Sequence, residues 1–108
     1  METLKTKTIK EMILKNGESY PAGTLATVLP KPGNDSVIQV YVPDRENPII
    51  MGATNAHRYF DEFIPITLEV IEEASMDGAC PSLLGDEVEP DGHDEYGFPS
   101  VLLAAGLI

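Results

Sequence analysis

Turn-forming residues recur so often along this chain that the sequence leaves room only for short elements. Nine prolines and nine glycines are spread over 108 residues. Lys15-Asn16-Gly17-Glu18 and Pro21-Ala22-Gly23 read as turns, since Asn-Gly tolerates positive φ and proline presets its own φ. Pro30-Lys31-Pro32-Gly33-Asn34-Asp35 reads as a loop with no regular element, and residues 43–48 as another. Asp77-Gly78 and Gly85-Asp86 are further turn signals, and Pro81, Pro90 and Pro99 interrupt any long element near the end.

Between these breaks the apolar residues favour strands. Residues 8–14 lean towards a strand, with a short helix as the alternative. Residues 24–29 (TLATVL) form a β-branched run. In residues 37–42, Val37, Gln39 and Tyr41 face one side and Ile38, Val40 and Val42 the other. Residues 49–53 suit a short strand, and residues 55–60 a single helical turn. Residues 64–70 place Ile64, Ile66, Leu68 and Val70 on one face and Thr67 and Glu69 on the other, the cleanest period-two pattern in the chain. Near the end, Ser100 can cap a short helix that buries Leu102, Leu103 and Leu107. Cys80-Pro-Ser-Leu-Leu84 is echoed by Phe98-Pro-Ser-Val-Leu-Leu103, which suggests two short capped turns. The expected fold is mainly β: a small five-stranded barrel or sandwich over residues 1–73. An acidic, loop-rich C-terminal extension, residues 74–108, packs on it and carries the short terminal helix. The segment Gly17-Glu-Ser-Tyr-Pro-Ala-Gly-Thr-Leu-Ala-Thr-Val28 resembles the opening strand, Pro-x-Gly turn and second strand of SH3-like barrels. That resemblance covers at most about 60 residues, and it implies fold rather than function.

Charge divides the chain in two. Residues 1–60 hold seven Lys and Arg against six acids, for +1; residues 61–108 hold twelve acids and no Lys or Arg, for −12. The total of −11 argues against direct binding to DNA or RNA and against docking on an anionic membrane. Six carboxylates fall within ten residues: Asp86, Glu87, Glu89, Asp91, Asp94 and Glu95. A solvated loop and a surface for a basic partner both fit this run. Extended, it would set Glu87, Glu89 and Asp91 on one side about 6.6 Å apart, and would carry one charge per roughly 5.5 Å. One DNA strand carries a charge about every 3.4 Å. Imitating that density needs further acids, such as Asp61, Glu62, Glu69, Glu72, Glu73 and Asp77, on the same face.

No catalytic signature is present, so the chain reads as non-catalytic. One cysteine excludes an intrachain disulfide and a multi-cysteine zinc site. Cys80 suits a small buried position better than a nucleophile. His57 and Asp61 are four apart and could pair on a helical turn, but no nucleophile stands at a diagnostic spacing. His93 lies among carboxylates, and Glu87-x-Glu89-x-Asp91-Gly92 echoes the first half of a calcium loop. Position twelve of that loop is Phe98 where a bidentate Glu is needed, so neither metal nor cofactor is expected. No stretch approaches a membrane-spanning length, the N-terminus lacks a signal-peptide core, and a reducing cytoplasm is the simplest placement.

In size, charge and the acidic stretch 61–95, the chain resembles small acidic accessory proteins of phages and mobile elements, including anti-CRISPR and anti-restriction inhibitors. That resemblance implies a protein that blocks the basic, nucleic-acid-binding surface of a partner protein. The expected contact residues are Asp86, Glu87, Glu89, Asp91, Asp94, Glu95, Tyr96, Phe98, Glu72 and Glu73, carboxylates beside an aromatic anchor. The alternative is a structural or adaptor module of a phage or another assembly, contacting its partner through the apolar C-terminus.

Overall fold

Side-chain alternation along four paired strands sets one buried and one open sheet face. In the computed structural model, which describes residues 2–77 and 80–108, six strands come first. They are β1 (Leu4–Lys7), β2 (Met12–Ile13), β3 (Ser19–Tyr20), β4 (Leu25–Lys31), β5 (Asn34–Tyr41) and β6 (Ile49–Gly52). The main sheet is antiparallel, in the order β1-β4-β5-β6, while β2 and β3 form a separate hairpin. Leu4, Val28, Ile38, Val40, Ile49 and Met51 point into the core and are buried. Burying each of the larger ones stabilises the fold by about 1.5–3 kcal/mol. Ile38, Val40 and Val42 face inward, as the alternation of 37–42 predicts. A 3₁₀ turn, Ala53–Arg58, follows β6 and buries Ala53 and Ala56. Phe60 and Phe63 then complete the floor of the core.

The second half folds as a smaller layer. Helix α1 (Leu68–Asp77) precedes a β7 (Cys80–Pro81)–β8 (Glu87–Val88) hairpin, and α2 (Val101–Ala104) closes the chain. Ala74, Cys80, Val101 and Leu102 form its core, with Ile64, Ile66, Val70 and Ile71 packed around them. Phe98 joins this layer to the sheet. It is fully buried in the main core, edge-on to Phe63 with ring centroids 5.2 Å apart.

The echoed Pro-Ser segments meet in space. Ser82 and Ser100 form an antiparallel bridge, and the Leu83 amide donates to the Pro99 carbonyl at 3.1 Å. Both serines are fully buried and both hydroxyls are used. The Ser82 hydroxyl accepts from the Leu84 amide. The Ser100 hydroxyl caps α2 by accepting from the Leu103 amide, and it donates to the Pro90 carbonyl.

Several expectations need correction. The fold is mainly β, but its sheets do not close into a barrel. β1 and β6 are both edges of the main sheet, and the strands number eight rather than five among the described residues. Residues 8–14 are not one strand; the chain leaves the sheet after Lys7 and re-pairs only at Met12. The loop expected at Pro30–Asp35 is a tight hairpin in which Lys31 faces Asn34 across Pro32-Gly33, with Gly33 at φ +80°. Pro30 is tolerated because β1 pairs β4 only as far as Val28, so no partner on that side needs its amide.

Residues 64–70 are not a strand either. Thr67 caps a helix, its hydroxyl accepting from the Val70 amide at 3.2 Å. Glu69 sits in the first turn and Glu, Ala and Met continue it. Seven residues with four apolar positions satisfy either period, and the helix leaves Leu68 74% exposed. At the end of the chain, α2 buries Val101, Leu102 and Ala104, while Leu107 is exposed. The turn expected at Asp77-Gly78 reaches outside the described residues. No helix of the described residues is long and apolar enough to cross a membrane.

Phe98→Ala is expected to lower stability by about 3–5 kcal/mol, because it empties a site shared by both layers. Urea unfolding followed by tyrosine fluorescence measures this.

Candidate functional site

The acidic run is built as two successive turns rather than one extended strand. Glu87 lies in β8 opposite Pro81, exposed, with Val88 turned inward against Cys80. The Gly92 amide donates to the Glu89 carbonyl at 2.8 Å, which closes a turn with Pro90 second and Asp91 third. A second turn follows, where the Gly97 amide donates to the Asp94 carbonyl at 2.9 Å and Gly97 takes φ +88°. The even 6.6 Å ladder expected for Glu87, Glu89 and Asp91 therefore ends at Glu89.

Within these turns the carboxylates divide into two kinds. Asp86, Glu87, Glu89, Asp91 and Glu95 are exposed. None of them makes a salt bridge among the described residues. Asp94 is different: its Oδ1 accepts from the Tyr96 and Phe98 amides, each at 2.9 Å, and its Oδ2 is buried. These two bonds organise the turn that delivers Phe98 to the core. Phe98 itself is corrected from the expected contact surface, since a fully buried ring cannot meet a partner. Tyr96 is half-buried against the main core, tilted on Phe98 with centroids 6.4 Å apart. The charge of Glu2 beside it, then partial burial, pushes its phenol above the ordinary value.

Glu72 and Glu73 lie exposed on α1, together with Glu69. On the same helix Leu68 is 74% exposed and Met76 83%. Positions 68, 72 and 76 form one stripe at i, i+4 and i+8. The helix therefore shows two apolar side chains beside three carboxylates. The period-two pattern of residues 64–70 sets Leu68 on the face of Ile64 and Ile66 and does not reach Met76; the capping Thr67 followed by good helix formers is the signal that exposes both. α1 packs on β7 through Ala74 and Cys80, so the acidic helix lies against the hairpin that carries Glu87.

The two histidines stand apart, each with its own surroundings among the described residues. His93 Nε2 lies 2.9 Å from Asp35 Oδ1, which pins the second turn to the β4–β5 hairpin. His57 sits in the 3₁₀ turn, where Asp61 is not its neighbour across an α-helical turn; its Nδ1 is buried without a partner among the described residues. No group of three or more His, Cys, Asp or Glu side chains converges as metal ligands would among the described residues. Cys80 is buried and free.

Basic residues cluster elsewhere. Arg45 Nη1 bonds Glu18 Oε1 at 2.9 Å, and Arg45 Nε donates to the Asn47 carbonyl at 3.0 Å. Hydrogen bonds from Asn16 and Tyr20, then from Arg45, hold the Glu18 carboxyl below the usual carboxylate range. Lys10 stands 4.9 Å over the Tyr59 ring.

Comparison with known proteins found no matching family model, no matching curated protein and no matching solved structure.

The division of the carboxylates has a measurable consequence. Asp94→Ala is expected to lower stability by about 1–3 kcal/mol, because two backbone amides lose their acceptor. Asp91→Ala is expected to leave stability unchanged or slightly raised by relief of like-charge repulsion. Equilibrium denaturation of the two variants side by side checks both.

Proposed function

We propose that this chain is a non-catalytic acidic binding protein that docks on the basic, nucleic-acid-binding surface of a partner protein and blocks it. The observation that carries this reading is the set of exposed carboxylates of the second half that have no cationic partner among the described residues. Asp86, Glu87, Glu89, Asp91 and Glu95 on the turns, with Glu69, Glu72 and Glu73 on α1, make no ion pair among the described residues. Such a surface attracts a basic groove at long range and speeds encounter in a salt-dependent way. Exposed Leu68 and Met76, on α1 beside Glu69, Glu72 and Glu73, supply the apolar contact that buried Phe98 cannot. Tyr96, half-buried beside Glu95, adds a partly exposed aromatic ring. The likeness to small acidic inhibitors of phages and mobile elements supports the same class of partner. We read the fold itself as an SH3-like barrel left open between β2 and β6, with the acidic layer as an addition; that reading bears on the scaffold and not on the partner.

A second reading has its own support. Leu107 and Ile108 are exposed beyond α2, which suits an adaptor that holds its partner by apolar contact.

A pull-down from host-cell extract, eluted in salt steps, separates the two. The fivefold variant Asp86→Asn, Glu87→Gln, Glu89→Gln, Asp91→Asn and Glu95→Gln runs beside the parent and leaves Asp94 in place. A basic nucleic-acid-binding protein that elutes at moderate salt and is lost from the variant is the expected result. A partner resistant to salt and equally retained by the variant would sink the proposal in favour of the adaptor.

A further inference from the structure

The open seam of the fold carries a second surface, of opposite charge to the first. Among the described residues β2 pairs only with β3, and β6 only with β5. Both nevertheless line one groove of about 600 Å³, together with Asn55, Arg58 and Tyr59. No backbone hydrogen bond joins residues 12–15 to Ile49–Gly52 among the described residues. Two strand edges therefore face a shared space with main-chain donors and acceptors unused by strand pairing on that side. An edge of this kind is a template for an added strand. Ile13, 66% exposed, and Ile50, 53% exposed, supply apolar contact at the groove's lip.

Charge selects the occupant. Lys15, Arg45 and Arg58 line the groove, three of the seven Lys and Arg in the chain, and no Asp or Glu lines it. Arg45 is held in place by Glu18 and by the Asn47 carbonyl. Lys15 and Arg58 are exposed and pair with no carboxylate among the described residues. In a chain with a net charge of −11, three of the few cations thus border one cleft between two strand edges. The overall negative charge does not forbid an acidic ligand here, because beyond about 8 Å exposed charges are largely screened at physiological salt.

We propose that the β2–β6 groove binds an extended, acidic peptide segment of a partner protein, which adds as a strand between β2 and β6. Its backbone pairs with one or both edges, its apolar side chains meet Ile13 and Ile50, and its carboxylates meet Lys15 and Arg58. β6 offers four residues, so the paired stretch is about 13 Å long at 3.3 Å per residue. This site is separate from the acidic layer and stands whether or not that layer blocks a basic partner.

The test is an amide NMR titration of the whole chain with a degenerate pool of heptapeptides that alternate Asp or Glu with Val, Ile, Leu or Phe. Shifts concentrated in residues 12–15 and 49–52 are expected, with slowed amide exchange there. A pool with Lys in place of the acids is expected to leave residues 12–15 and 49–52 unshifted, whatever it does at the acidic layer. The double variant Lys15→Glu, Arg58→Glu, two exposed side chains outside the core, is expected to weaken binding by roughly tenfold or more. Backbone N-methylated peptides are expected to bind no better than that variant allows. The proposal is overturned if the acidic pool causes no shifts at millimolar concentration, if its shifts lie elsewhere, or if the Lys pool shifts residues 12–15 and 49–52 equally. It is also overturned if the same residues shift with protein concentration alone, which assigns the groove to a second copy, or with a single-stranded oligonucleotide and not with the peptides.

Discussion

The insertion of Phe98 into the sheet's core is the contact on which the arrangement of the acidic layer depends. The ring meets Phe63 edge-on and lies in the same cluster as Val28, Ile38 and Val40. It reaches that position because Asp94 holds the two amides that shape the preceding turn. The Ser82–Ser100 bridge then ties the β7–β8 hairpin to the start of α2. An acidic stretch that repels itself is thereby held at defined positions, with buried apolar contacts opposing the repulsion among its exposed carboxylates.

This architecture uses like carboxylates in different ways. Asp94 is spent on backbone amides and Asp35 on His93, while Glu18 steadies Arg45. The remaining exposed acids of the second layer have no such local duty among the described residues. Charge without a structural partner lowers stability, so its concentration on one layer is the feature of the fold most in need of a functional account. Cations are sorted as well: the chain has few, and three of them surround the β2–β6 groove.

The strands of the main sheet were legible where alternation was long or β-branched. Residues 37–42 and 49–53 read correctly because inward Ile38, Val40, Ile49 and Met51 leave a clear period of two. Legibility failed where turn chemistry and period conflicted. Pro32-Gly33 looked like the middle of a loop, yet it makes a tight hairpin because Pro30 lies beyond the reach of β1. Residues 64–70 fitted both periods, and only the Thr67 cap decides for a helix. Among the candidate contact residues, exposure at Asp86, Glu87, Glu89, Asp91 and Glu95 followed from their turn-rich surroundings. Phe98 and Asp94 did not follow, since nothing local in Asp94-Glu95-Tyr96-Gly97-Phe98 says that its far end enters a distant core. The β2–β6 groove was invisible for a related reason: it joins residues more than thirty apart in sequence.

Competition is the most direct test of the account. The basic partner is captured on immobilised protein, and double-stranded DNA or single-stranded RNA is added at constant ionic strength. The account predicts that nucleic acid displaces the partner, because both ligands need the same basic surface. A stable ternary complex, with partner retained and nucleic acid bound to it, would contradict the central claim.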